Sequence, residues 1–441
     1  MTAPSHSHPV THPYAKIHAD LGRAARWAEH GFILFAILMF SGAVEGLLLQ
    51  TAEGIAGPIA QLGYVLCYLG ALVLLMPHAR FVLRDIWHAW AAWLMVILAF
   101  VSVTWSVAPD ATIKKSVALM GSMLFVYMLS VRYPFIQIIR YLSVISALTG
   151  FLSLLLGALV PAIGVMQVEV PGAWSGVWMH KNTLGGMMAF GGFFAMIGAS
   201  FDKRFRRYYF ALVLLCLFMI IVSWSKTSLL LFCLAIGSVI GIRALQNSML
   251  AGLLAIYGGV IGGSVLGFLM IFSPHLLFKA IGKDPSFTGR TPIWQAIYEV
   301  IDRHPMLGYG YGAFWENPET GPGYFIQRAV LWEVLSAHQG WLEVWLQVGK
   351  VGVILIAIYL ASSFVLGLLR LRRDLMSSFT LPYIVLMVLY CFSESVLMIQ
   401  NNLVWMGLVL ATIYIWRHTF MRSDVPGAPP FLPPAQSRNP D

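Results

Sequence analysis

Val351-Gly352-Val353-Ile354-Leu355-Ile356-Ala357-Ile358-Tyr359-Leu360-Ala361, after Lys350, opens a run that continues to Leu369 without a charged residue. As a helix rising 1.5 Å per residue, such a run crosses most of a ~30 Å hydrocarbon core. Arg370, Arg372 and Arg373 follow it on one side. On the other, the chain reads Ser336-Ala337-His338-Gln339-Gly340. Basic residues at one mouth and a polar turn with a single imidazole at the other describe a membrane span with its chemistry at one end.

The same pattern repeats along the chain. Hydrophobic residues make up 59% of the 441 and charged ones 11%, against about 25% charged in a soluble domain. The sequence therefore predicts an all-α polytopic membrane protein. Twelve spans are expected near 29–49, 56–76, 87–107, 112–131, 136–160, 182–200, 207–222, 226–245, 249–273, 338–369, 379–399 and 401–418. With the N-terminus inside, 18 of the 28 basic residues fall on the side of the two tails, led by the clusters Lys203–Arg207 and Arg370–Arg373. By the positive-inside rule that side is cytoplasmic. The net charge of +9 is then topology and attraction to membrane lipids, and no nucleic acid is expected as partner.

The organisation that follows is a cytoplasmic tail (1–28), a bundle of nine spans (29–272), an outer loop (273–336), three further spans (337–420) and a disordered tail (421–441). The loop, about 64 residues from Ser273 to Ser336, is long for a connection, which points to function. Within it Thr291–Ile301 has apolar residues at 293, 294, 297, 300 and 301, the spacing of a helix lying along the membrane surface, with Thr291 as cap and Pro292 in its first turn. A second helix is predicted over Ile326–Leu335. Cys67, Cys216, Cys233 and Cys391 all fall in spans and frame neither disulfides nor a metal site.

Chemistry has few places to be. His338 sits where the chain re-enters the bilayer, and a helix N-terminus opposes positive charge on the ring, leaving it able to take a proton. Glu343 lies five residues on. Lys181, Lys226 and Arg290 all fall on the outer side, which the positive-inside rule depletes of cations. One such lysine is readily a snorkelling helix end. Three, in the polar stretches His180-Lys181-Asn182, Ser223-Trp224-Ser225-Lys226-Thr227 and Thr288-Gly289-Arg290, suit a diphosphate. An imidazole beside these cations suits deprotonation of a hydroxyl, hence a membrane-embedded transferase. The chain has no Asp-x-Asp pair and no phosphate-binding Gly-rich loop, so neither a metal nor a cofactor is expected. Few carboxylates interrupt the spans, Glu45 and Glu394 coming nearest, which weighs against an ion-coupled transporter.

In order, these motifs resemble the O-antigen ligase and polymerase superfamily of bacterial envelopes. The likeness rests on Met179-His180-Lys181-Asn182-Thr183-Leu184-Gly185, Ser225-Lys226-Thr227, Thr288-Gly289-Arg290-Thr291-Pro292-Ile293-Trp294, Pro305-Met306-Leu307-Gly308-Tyr309-Gly310 and Ala337-His338, over Trp178–Gly352. Gln339 stands where the family usually has Asn, and Lys226 where it often has Arg. The resemblance implies a GT-C-like glycosyltransferase with a helical periplasmic cap, in a bacterial inner membrane. Its donor would be an undecaprenyl-diphosphate-linked glycan and its acceptor a sugar hydroxyl of lipid A–core. His338 would be the base and Arg290, Lys181 and Lys226 the diphosphate ligands, with Asn182, Gln339 and Glu343 in support. An O-antigen polymerase with the same donor is the alternative, and a lipid-linked-oligosaccharide transporter the reading from another class. Within the family, the number of spans and the medium loop look most like the lipopolysaccharide ligase. Charge neutralisation by side chains alone predicts that purified protein keeps its transfer rate in excess chelator. A loss that Mg²⁺ or Mn²⁺ restores refutes it.

Overall fold

The computed structural model describes residues 22–51, 53–79, 82, 86–248, 250, 290–316, 319–331, 334–371 and 376–420. Both tails as far as residue 21 and from 421, the expected span 249–273 save residue 250, and loop residues 273–289 lie outside them. The described residues form a helical bundle, in which a lone bridge between Val165 and Trp174 is the β-pairing present. The helices are α1 (Arg23–Phe40), α2 (Ala43–Thr51), α3 (Glu53–Leu75), α4 (Trp90–Val101), α5 (Pro109–Arg132), α6 (Phe135–Leu159), α7 (Lys181–Phe201), α8 (Arg206–Val222), α9 (Lys226–Asn247), α10 (Arg290–Ile301), α11 (Gly323–Val330), α12 (Gly340–Arg370), α13 (Ser377–Tyr390) and α14 (Leu403–Phe420).

Among the described residues, eight stretches are long and apolar enough to cross a membrane. The pair α1–α2 forms a further candidate, bent by 63°, and α13 and α14 are shorter apolar helices. Together these match every expected span but 249–273. The chain is a polytopic membrane protein. At its centre stands α7, with 78% of its apolar window buried against 28% for α8 and α9. Its glycines allow this. A Cβ at Gly185 would lie 2.6 Å from Ser228 Oγ, and one at Gly191 2.9 Å from Ser146 Cβ. Small residues let helix backbones approach closely where lipid offers no hydrophobic drive.

Polar ties close each end of the bundle. At the end holding Arg23, Arg132 donates from Nε and Nη2 to the two oxygens of Glu29 at 2.6 and 2.7 Å, both side chains buried. There too Arg140 Nε bonds Asp202 at 2.7 Å, Arg417 Nη1 bonds Ser130 O at 2.7 Å, and Gln246 Nε2 bonds Leu371 O at 2.9 Å. The opposite end gathers the Ser102–Trp105 turn, residues 160–180, the turn 223–225, α10, α11, His338 and residues 391–402.

Four expected segments differ in the structure. The first span bends because Gly42 takes φ +72°, and Trp178 Nε1 caps the freed Ser41 carbonyl at 2.9 Å. The helix expected over Ile326–Leu335 is instead Gly323–Val330, ended by Leu331 in the left-handed conformation. The span 379–399 stops at Tyr390, and residues 391–402 are non-helical. The run 338–369 is broken inside α12, where Val348 has φ −130° and Gly349 φ +68°. A break in an apolar setting leaves backbone groups that must find partners. The Pro305–Gly310 turn supplies them. Tyr309 N donates to Leu346 O (2.8 Å), Gly310 N to Gln347 O (2.9 Å), Lys350 N to Pro305 O (3.0 Å) and Val351 N to Met306 O (3.3 Å).

This lacing leaves no room for side chains. A Cβ on Gly349 would lie 2.1 Å from Met306 O. Gly349→Ala combines that clash with an unfavourable φ, a cost of about 1–3 kcal/mol for the backbone strain alone. The variant is expected to melt earlier in detergent than wild type, and an unchanged melting temperature contradicts the lacing.

Candidate active site

His338 occupies a left-handed position, φ +48°, and its neighbours explain how that conformation is kept. Ala337 N donates to Glu343 Oε2 at 2.8 Å, and Ala337 O accepts from Trp294 Nε1 of α10 at 3.0 Å. On the other flank Gln339 N donates to Ser395 Oγ at 3.2 Å, and Gly340 N to Cys391 O at 2.7 Å. The backbone is pinned on both sides of the imidazole. The ring itself is 36% exposed, with Nδ1 4.0 Å from Glu394 Oε2. That is ion-pair range, longer than a hydrogen bond.

Glu394 is the residue that the sequence reading passed over. It was weighed only as a mid-span carboxylate, yet it stands in the non-helical 391–402 segment and joins three elements. Arg290 Nη2, at the start of α10, donates to Oε1 at 3.1 Å, and Asn182 Nδ2, in the first turn of α7, at 3.3 Å. Burial pushes the carboxyl up, but the His338 ring and the Arg290 guanidinium outweigh it and hold the group below its ordinary value. It is therefore a carboxylate at neutral pH. The available signal was Ser393-Glu394-Ser395 set inside an apolar run, since ionisable residues at membrane depth are functional by default.

Asn182 extends the network. Its Oδ1 accepts from Ser225 Oγ at 3.1 Å, which also shares a bond of 2.8 Å with Ser228. Its backbone N–H donates to His180 Nδ1 at 3.1 Å, so an imidazole caps α7. His180 Nε2 lies 3.2 Å from Glu169. Burial lowers the His180 pKa and outweighs the opposing charges of Glu169 and Glu394, with Lys181 and His338 adding to the effect. Two of the expected cations, Lys181 and Lys226, open α7 and α9 beside this network, close enough for the Lys226 charge to act on Lys181.

The structure thus brings His338, Arg290, Asn182, Lys181 and Lys226 to one end of the bundle. Gln339 and Glu343 lie at the same end and bond within the fold. Gln339 Oε1 caps α12 by accepting from Leu342 N at 2.5 Å. Glu343 is buried, taking Trp315 Nε1 and Gln347 Nε2 on one oxygen (2.9 Å each) and Ala337 N on the other. It holds the turn from beneath. Chemically, Arg290, Lys181 and Lys226 stand with the carboxylates of Glu394 and Glu169 around a partly exposed imidazole. Such a place favours an anionic, hydroxyl-bearing ligand.

That geometry is a polar, cation-rich site at one end of a polytopic membrane bundle, and comparison with known proteins shows what the chain is similar to. Residues 211–357 match the family described as O-Antigen ligase. The match spans Lys226, Arg290 and His338, while Lys181 and Glu394 lie outside it. The chain is also 27% identical over 331 residues to the exopolysaccharide production protein ExoQ of Rhizobium meliloti (strain 1021), covering 70% of this chain and 72% of that protein. Over about a third of its length the chain is therefore similar to the O-antigen ligase family.

The Arg290–Glu394 pair can be split into its structural and functional parts. Arg290→Ala leaves a part-buried carboxylate, 20% exposed, without its cation and costs about 1–3 kcal/mol. Adding Glu394→Gln removes the stranded charge, so the double variant should regain thermal stability while activity stays low. Recovery of activity along with stability would reduce Arg290 to a structural role.

Proposed function

We propose that the protein transfers a glycan from undecaprenyl diphosphate to a sugar hydroxyl of lipid A–core, at the periplasmic face of a bacterial inner membrane. The observation that carries this reading is the convergence of His338 and Arg290 on Glu394, from opposite ends of the polar segment that precedes α12. The exposed basic run Lys203–Arg207, at the far end of the bundle, supports the sidedness.

The reaction is a single displacement. Glu394 faces His338 Nδ1 across 4.0 Å, and Nε2 is the nitrogen that accepts the proton. Nε2 takes the acceptor's hydroxyl proton. The oxygen forms a bond to the anomeric carbon as the bond from that carbon to the diphosphate oxygen breaks, with inversion. The electron pair departs on undecaprenyl diphosphate, a good leaving group that needs charge stabilisation more than a proton. Arg290, Lys181 and Lys226 supply it. Arg290 is held ready by Glu394, so little reorganisation accompanies the developing charge.

A second reading changes only the acceptor. The relative named for exopolysaccharide production favours a second lipid-linked glycan as the attacking hydroxyl, which would make the protein a polymerase. Purified protein given labelled lipid-linked glycan, with core–lipid A or with more donor alone, separates the two by product. In either assay His338→Ala should keep donor binding and lose about 10²–10⁴-fold in rate, the contribution of a positioned base. His338→Gln keeps a hydrogen-bonding side chain without the base and should fail almost as badly. An active Gln variant at matched protein levels removes the base assignment.

A further inference from the structure

Trp224 stands out at the same end of the bundle. It follows the last residues of α8 in the position where a left-handed backbone ends a helix, and its φ is +52°. Glycine takes that position at little cost, whereas a bulky residue there is a genuine outlier. The indole is 56% exposed, so burial does not repay the strain. Nor is the side chain loose: the edge of the ring covers Gly172, where a Cβ would meet Cη2 at 3.2 Å. Gly172, itself at φ +92°, makes space for it.

The neighbours give the position its meaning. Ser225, the next residue, is bonded to Asn182 and through it to Glu394. Lys226, the residue after, opens α9. The residue that carries this aromatic face is therefore two positions from Lys226, one of the cations read above as diphosphate ligands. A tryptophan at a membrane boundary is commonly an anchor in the aromatic belt, but anchoring requires no strained backbone. Strain kept at an exposed residue beside a polar network marks a ligand contact.

We infer that Trp224 is a sugar-binding platform, its indole stacking on the apolar face of the pyranose attached to the donor's diphosphate. The inference rests on the transferase reading. A pyranose presents a face of C–H bonds, and an amphipathic ring that tolerates a half-wet site is the side chain suited to it. With Lys226 two residues on, the phosphate and the first sugar would be held by one turn. Trp224 thereby reads which sugar carries the diphosphate.

Steady-state transfer by Trp224→Gly, Trp224→Leu and Trp224→Phe tests this, with thermal unfolding measured in parallel. The Gly variant relieves the strain and should melt higher than wild type, yet raise the donor KM by about tenfold with kcat changed little, the pattern of lost ground-state contact. The Phe variant should recover most of the affinity and the Leu variant little, since Leu is apolar but not flat. Two donor series then identify the contact. With the first sugar varied at constant lipid, wild type should discriminate and the Leu variant should not. With the lipid shortened at constant sugar, both should respond alike. Equal KM values in all variants, or a defect that tracks lipid length alone, overturn the platform. Transfer absent from wild type overturns the transferase reading itself, whereas transfer intact in wild type and unaffected at Trp224 sinks only this inference.

Discussion

The carboxylate of Glu343 is the interaction on which the active end depends. It is buried, it belongs to the first turn of α12, and its two oxygens take donors from the residue 315 turn, the Ala337 backbone, Gln347 and, at 3.4 Å, Ser395. Those groups come from the outer loop, the His338 turn, α12 and the segment after α13. A buried carboxylate is costly unless its lone pairs are filled. That demand obliges four separately folded pieces to meet at one point. The first turn of a helix also favours negative charge, so α12 supports the group that organises it.

From that anchor the placement of the reacting groups follows. Ser395 bonds both Glu343 and the Gln339 amide, and Glu394 is its neighbour. Fixing Ser395 therefore fixes where Glu394 stands, and Glu394 in turn sets Arg290 and Asn182 and faces His338. The two glutamates divide the work. Glu343, filled by neutral donors, holds backbone. Glu394, filled partly by charged ones, holds the cation and the imidazole.

Much of this was legible in the sequence, for a physical reason. A helix that crosses lipid must satisfy its backbone internally, so its length and apolarity are written locally, and the runs at Lys181–Phe201 or Phe135–Leu159 can be read without knowing their neighbours. The sign of the charge bias is equally local. Illegible were the features that depend on tertiary partners. The break at Val348–Gly349 sits within an apolar run of helical length, and only the lacing by Pro305–Gly310, some forty residues earlier, makes it tolerable. Glu394 reads as a flaw in a span until Arg290 and Asn182 arrive from over a hundred and over two hundred residues away. His338 was legible because a lone imidazole at a polar turn announces itself. The groups that orient it do not.

The distribution of strain completes the picture. Among the described residues, the non-glycine positions with positive φ are Trp224, Leu331, His338, Met398 and Asn401, and all lie at the end of the bundle that holds His338. The opposite end, closed by the Arg132–Glu29 pair and by Arg417 on Ser130, has regular helices meeting through hydrogen bonds. Each of these left-handed residues other than Asn401 costs about 1–2 kcal/mol over the ordinary backbone, so the cost falls on the end of the molecule that holds His338. A helix that ran straight through Ser336–Gly340 would remove that strain, but would turn the imidazole away from its present setting. The same holds for residues 391–402: continued as helix past Tyr390, the chain would present Glu394 on a helical face instead of beside Arg290. The bundle's regular half is what permits the active half to be irregular, and the irregularity is what lets groups from α7, α10, the His338 turn and the 391–402 segment share one carboxylate.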